Sequence, residues 1–143
     1  MKSPIDIALH FLKYRARSVF EIRQKLKSKS VPEEEIEKTI NILIRNELLD
    51  DTKFANMYVR DRNRFKPTGS FLLKMELKKL GIDQDLIEDV LAGQDEEELA
   101  RRAIESKSRF IEAEFEKKAQ FLARRGFSMS IIMKVLKNNS ELI

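Results

Sequence analysis

Apolar residues recur along this chain at spacings of three and four, and one phase of that pattern occurs three times. LKSKSVPEEEIEKTI (26–40), LKKLGIDQDLIEDVL (77–91) and LARRGFSMSIIMKVL (122–136) superpose after shifts of 51 and 45. Leu26, Leu77 and Leu122 open the copies, and Ser30, Gly81 and Gly126 stand four residues on. An apolar residue follows each of these at Val31, Ile82 and Phe127. Ile36, Ile87 and Ile132, then Ile40, Leu91 and Leu136, share one face because positions four apart stack along a helix. Each copy predicts a helix, a tight turn and a second helix, so an internal repeat organises the chain.

The turn residues fit that reading. A helix often stops on a residue at positive φ, which glycine adopts at little cost; Gly81 and Gly126 are expected in that role. Asp83 and Ser128 suit N-caps, and Pro32 followed by Glu33, Glu34 and Glu35 suits a helix start. Elsewhere Pro4 opens a helix carrying Ile5, Ala8, Leu9 and Leu12, and Ser18 with Glu21 forms a capping box. Asp51 or Thr52 caps a helix with Phe54, Ala55, Tyr58 and Phe65, which KPTGS (66–70) ends. Gly93 closes the second copy and DEEE (95–98) opens the next helix. No Gly or Pro marks the following boundary, expected near residues 106–113. The expectation is an all-α fold of nine helices in three tandem three-helix, helix-turn-helix-like repeats (1–51, 52–93 and 94–143) forming an elongated curved array.

Composition narrows the chemistry. The 143 residues include no Cys and one His, which leaves no disulfide or thiolate metal site and little imidazole chemistry. No cofactor is expected. The carboxylates cluster at helix starts without a paired His, Cys or glycine-rich loop, so no acid/base dyad or phosphate cradle can be assigned and the chain reads as a non-enzyme. MKSPIDIALHFL lacks the long apolar core of a signal peptide and no apolar run approaches a membrane span, so a cytoplasmic protein without membrane contact is expected. A monomer is expected as well.

The net charge of +4 is distributed in blocks that follow the repeat: residues 53–80 hold 8 basic and 2 acidic side chains, and residues 81–99 hold 0 and 8. The first two helices of each repeat are basic, and stacking would align them into a stripe that attracts a polyanion or an acidic protein surface. The candidates for partner or nucleic-acid contact are Arg15, Arg17, Lys25, Tyr58, Arg60, Arg62, Arg64, Lys66, Lys74, Lys78, Arg101, Arg102, Arg124 and Arg125. Tyr14, Tyr58 and Phe65, interleaved with cations, suit either base stacking or helix packing. Phe20, Phe71, Phe115 and Phe121 are expected in the core, and His10 on the surface. Groove reading by the second helix of the motif is disfavoured in the first two copies, where Glu33, Glu34, Glu35 and Glu37, or Asp83, Asp85, Glu88 and Asp89, would repel phosphates.

Four segments in this order resemble the RecX family, regulators of the bacterial RecA recombinase. They are SVFEIRQKL (18–26), LLDDTKFANMYVRDR (48–62), GSFLLKMELKKLGI (69–82) and LARRGF (122–127). The resemblance spans residues 8–136, with Phe121 where the family would have a tyrosine and a short segment between 106 and 113. It implies three tandem three-helix repeats that bind within the groove of the RecA–DNA filament and restrain its ATP hydrolysis, strand exchange and co-protease activity. From the charge blocks, any direct contact with single-stranded DNA is expected to be weak, tolerant of sequence and reduced by salt. A duplex-reading helix-turn-helix regulator and a helical scaffold for another protein are the alternative readings.

Overall fold

A computed structural model of the chain describes residues 2–107 and 114–141; the helix boundary expected near 106–113 lies largely outside them. Among the described residues there are nine helices and no strand: α1 (Pro4–Tyr14), α2 (Val19–Ser28), α3 (Glu33–Arg45), α4 (Asp51–Phe65), α5 (Ser70–Lys79), α6 (Gln84–Ala92), α7 (Glu96–Glu105), α8 (Phe115–Arg124) and α9 (Met129–Glu141). The architecture is all-α. Pro4 occupies the first turn of α1, behind Ser3 as N-cap, and Ser18 and Glu21 form both halves of the capping box on α2. Asp83 and Asp95 cap α6 and α7. The cap of α4 is Asp50, whose carboxylate accepts the Thr52 and Lys53 N–H groups, rather than Asp51 or Thr52.

Three apolar clusters sit one to each trio of helices. Ala8, Ile22, Leu26, Ile36, Ile40, Leu43 and Leu49 form the first. Phe54, Ala55, Val59, Leu73, Leu77, Ile82 and Ile87 form the second. The third gathers α7–α9 around Leu99, Ile104, Phe121, Leu122, Phe127, Ile132 and Leu136. The Leu that opens each sequence copy is fully buried, and removing such a side chain to Ala costs about 2–5 kcal/mol. Its carbonyl also closes the turn: Val31, Ile82 and Phe127 donate N–H groups to Leu26, Leu77 and Leu122 at 3.1 Å. That bond and a positive φ at Ser30 (59°), Gly81 (77°) and Gly126 (90°) make the same helix stop three times. Glu47, at φ 60°, ends α3 in the same way, with Leu48 N–H on the Leu43 carbonyl; nothing in a Glu signals it.

Successive trios meet by one recurrent joint, in which the turn between the second and third helices of one trio docks on the start of the second helix of the trio before it. At the first joint the Ser18 hydroxyl donates to the Leu80 carbonyl at 2.6 Å, and the Asp51 carboxylate accepts the Val19 N–H at 2.9 Å. At the second joint Gly69 N–H meets the Arg125 carbonyl at 2.7 Å and Phe71 N–H the Gly126 carbonyl at 3.1 Å. There the Glu96 carboxylate accepts the Ser70 N–H at 2.8 Å. Asp51 and Glu96 are equivalent under the shift of 45, as Val19 and Ser70 are under the shift of 51. The first residue of each incoming trio thus satisfies a helix-start donor that would otherwise be orphaned.

Close approach at these joints explains the glycines beyond their dihedral angles. A Cβ on Gly81 would lie 2.2 Å from the Phe20 Cβ, and one on Gly126 would lie 2.5 Å from the Leu72 Cβ. Phe20, Phe71 and Phe115, expected in the core, are instead 39%, 70% and 44% exposed. Phe20 and Phe71 are helix-start residues at joints, outside the apolar clusters; Phe121 alone of the four is buried. Leu9 is also largely exposed, and His10 lies on the surface as expected.

Candidate nucleic-acid and partner interface

Two clefts open beside the two joints, and the repeat relates their walls. The first, about 670 Å³, has Arg15, Arg62, Lys79, Tyr58, Glu76 and Phe65 around a floor of Phe54, Met57 and Leu80. The second, about 340 Å³, is lined by Arg62, Lys66, Leu72, Lys107, Phe121, Arg124 and Arg125. Under the shifts of 51 and 45, Arg15 corresponds to Lys66, Lys79 to Arg124, Arg62 to Lys107 and Glu76 to Phe121. Arg62 belongs to both walls, so the clefts adjoin.

Their electrostatics differ, because Glu76 and Asp61 line the first cleft and no described residue lining the second is acidic. In the first cleft Arg62 is held by Glu76 through two bonds, Nε to Oε1 at 2.9 Å and a second guanidinium nitrogen to Oε2 at 2.7 Å, and Tyr58 donates its hydroxyl to Oε1 at 2.7 Å. The Arg62 bonds hold the Glu76 carboxyl below its ordinary range against the opposing effect of burial, with Tyr58 and the Lys66 charge contributing. Burial, and then the bond to Glu76, raises the Tyr58 phenol. In the second cleft Phe121 replaces the carboxylate, and among the described lining residues there are five cations and no acid. Burial, and then the charge of Arg62, pushes the Arg125 guanidinium down from its ordinary value.

The structure sorts the sequence candidates by what already holds them. Arg17 is largely buried, with its guanidinium 3.7 Å from the Phe11 ring centroid and 3.6 Å from Glu21, and Lys25 covers the same ring at 5.1 Å. Arg15 is half exposed and paired with Glu21 at 2.5 Å. Arg101 pairs with Glu98 at 3.0 Å, and Arg102 reaches the Asn63 carbonyl at 3.5 Å beside Arg60 in a third, shallower hollow. Arg60, Arg64, Lys66, Lys78 and Arg124 are exposed, and Lys74 is half-buried. Arg124 and Arg125 were both expected to flank their glycine as surface charges; Arg125 is instead buried, donating to the Pro67 carbonyl at 2.9 Å over the Phe121 ring. Its guanidinium supports the second joint, because a buried donor needs a fixed acceptor.

Lys79 and Lys107 line the clefts and were not among the candidates. The repeat register would have found both, since Lys79 matches Arg124 and Lys107 matches Arg62. Tyr14 and Phe65, for which stacking and packing were both open, are 69% and 82% exposed. No described helix is long and apolar enough to cross a membrane.

Comparison with known proteins agrees with the trios of helices. Family models described as the first and second three-helix domains of RecX match residues 5–43 and 50–91. The protein named regulatory protein RecX of Thermotoga maritima is 35% identical over 94% of this chain and 83% of its own length. That of Prosthecochloris aestuarii is 32% identical over 94% and 92%. The crystal structure of RecX from Lactobacillus salivarius superposes with a TM-score of 0.85 at 30% identity, covering 98% of this chain and 96% of that one. A second crystal structure of a regulatory protein RecX gives 0.79 at 26% identity, over 94% of this chain and 71% of the other. With helices, turns and sequence in agreement along nearly its whole length, this chain belongs to the RecX family of regulatory proteins.

Proposed function

We propose that the protein acts as a monomeric, cytoplasmic, non-enzymatic modulator, mainly an inhibitor, of RecA that lies in the groove of the RecA–DNA filament and restrains ATP hydrolysis, strand exchange and co-protease activity. The observation that carries this reading is the pair of adjoining basic clefts at equivalent places along a tandem array. A helix of about ten residues is ~15 Å long, so three trios in series present charge over several such lengths. A filament offers the matching repeated surface. Once one trio is bound, contact by the next is intramolecular, and affinity grows with effective concentration rather than with the strength of any one contact. A ligand that prefers one filament state shifts the assembly towards it without chemistry of its own. Residues 1–51, 52–93 and 94–143 serve as the three modules, and Arg60, Arg64, Lys66, Lys78 and Arg124 are the exposed cations assigned to contact with RecA or with single-stranded DNA.

Titration of RecA ATPase on single-stranded DNA tests the reading. The wild type should inhibit, and Arg124→Glu should inhibit less at unchanged helix content. Wild-type protein without effect on RecA would sink the proposal, and tight binding to one duplex sequence would favour a transcriptional regulator.

A further inference from the structure

The first helices of the first two trios end alike. Lys13-Tyr14-Arg15 and Arg64-Phe65-Lys66 coincide under the shift of 51: an aromatic residue between two cations at the end of a helix. Neither ring belongs to the apolar clusters or to the residues packed against them. Both rings are left largely to water at the same place in the repeat, Tyr14 at 69% and Phe65 at 82% exposure. Both rings are also steadied. The His10 ring stands edge-on to Tyr14 with centroids 5.3 Å apart, and the Arg64 guanidinium lies 5.7 Å from the Phe65 centroid. A pre-oriented ring loses less freedom when something stacks on it.

The surroundings of Phe65 favour one kind of occupant, and Arg15, the residue after Tyr14, lines the same cleft. Phe65 forms part of the first cleft, with its apolar floor, and the next residue, Lys66, belongs to the second, where Lys107 and Arg124 stand without a carboxylate among the described lining residues. In the first cleft the remaining acids are Glu76, committed to Arg62 and Tyr58, and Asp61 at the rim. An apolar, aromatic recess beside one lined by cations matches a flat heterocycle joined to a phosphodiester. We propose that Tyr14 and Phe65 are base-stacking platforms for single-stranded nucleic acid, whose phosphates pass Lys66, Lys107 and Arg124. Duplex nucleic acid keeps its base faces stacked on one another and offers the rings nothing. The inference rests on the single-strand contact included in the proposed function, but it does not require RecA.

The test uses the full chain without RecA, at low salt, and follows binding to labelled oligo(dT) and to an abasic oligomer of equal length. Tyr14→Ala and Phe65→Ala should each weaken oligo(dT) binding about tenfold, within the roughly 5- to 150-fold span of a lost base stack, and change abasic binding less than about twofold. Phe65→Trp should restore it. Lys66→Gln with Arg124→Gln should weaken both ligands and flatten the log–log salt dependence by about 0.7 for each lost phosphate contact. The chain has two tyrosines and no tryptophan, so emission from a Tyr58→Phe variant should be quenched by oligo(dT) through Tyr14 alone. Equal losses of the ring variants on both oligomers, no loss of theirs on either, or no binding of oligo(dT) by the wild type would overturn the proposal. Ring variants that bind oligo(dT) normally yet fail to inhibit RecA would also overturn it, by assigning the rings to a protein contact. Ring-dependent binding by a protein that leaves RecA unaffected would uphold it while the proposed function fell.

Discussion

Ser30, Gly81 and Gly126 share a left-handed backbone conformation and differ in what surrounds them. Gly81 and Gly126 each lie against a helix start of the preceding trio, where a Cβ has no room; Ser30 is exposed. Gly81→Ala and Gly126→Ala should therefore lower stability by more than the ~1 kcal/mol of a residue forced to positive φ. Ser30→Gly, relieving strain without any contact to lose, should raise stability by up to about 1 kcal/mol, read as a shifted denaturation midpoint. The glycines were legible because a period of 51 and then 45 residues exposes them. Arg124 and Arg125 were not separable, since neighbouring cations in one helix end carry the same sequence signal while one faces solvent and the other donates to Pro67. The pattern points to Asp51 or Thr52 as the cap of α4, but the cap falls to Asp50 while Asp51 goes to Val19.

At the level of helices, two carboxylates with opposite pKa displacements tie elements together. Glu76 joins α5 to Arg62 and Tyr58 of α4, and its folded pKa is lowered chiefly by the Arg62 bonds. The stability it contributes is fully present above its ordinary value of 4.5 and is lost as pH falls through the lowered folded value. Glu76→Gln should accordingly flatten the acid limb of stability against pH. Asp51 has the reverse displacement: burial raises its pKa, the Val19 N–H lowers it, and the Asp50 and Glu21 charges raise it, with a net rise above 3.8. Its contribution is present below that value and lost as pH rises through the folded one. Asp51→Asn keeps an oxygen for Val19 and removes the buried charge. It should stabilise the protein at neutral pH, with the difference vanishing near pH 3 in thermal melts. The helices were legible as elements because capping and turn chemistry are local; Phe20 and Phe71 misled because an apolar residue at a joint has the same pattern as one in a core.

The whole molecule is a chain of units joined end to end in one sense, each completing the one before. Helix α5 has no side-chain cap of its own; Gly69, Ser70 and Phe71 donate to Arg125, Glu96 and Gly126 of the third trio. A fragment ending at residue 93 should therefore melt below the full chain by more than its lost apolar contact implies. Gly69→Ser should have opposite effects in the two contexts. In the fragment a serine can cap α5 and stabilise it by about 1 kcal/mol, whereas in the full chain its Cβ would meet the Gly126 carbonyl at 2.2 Å and destabilise it. Units that dock head to tail without closing a ring are also the elements of a fibre, since nothing in that geometry limits growth to three. The turn at Ser30 has the backbone shape that docks at both joints, but it carries the Cβ that neither joint has space for. That side chain should hinder the first turn of one molecule from seating on the last trio of another. Ser30→Gly should reveal this in sedimentation velocity, as association that rises with concentration in the variant and is absent from the wild type.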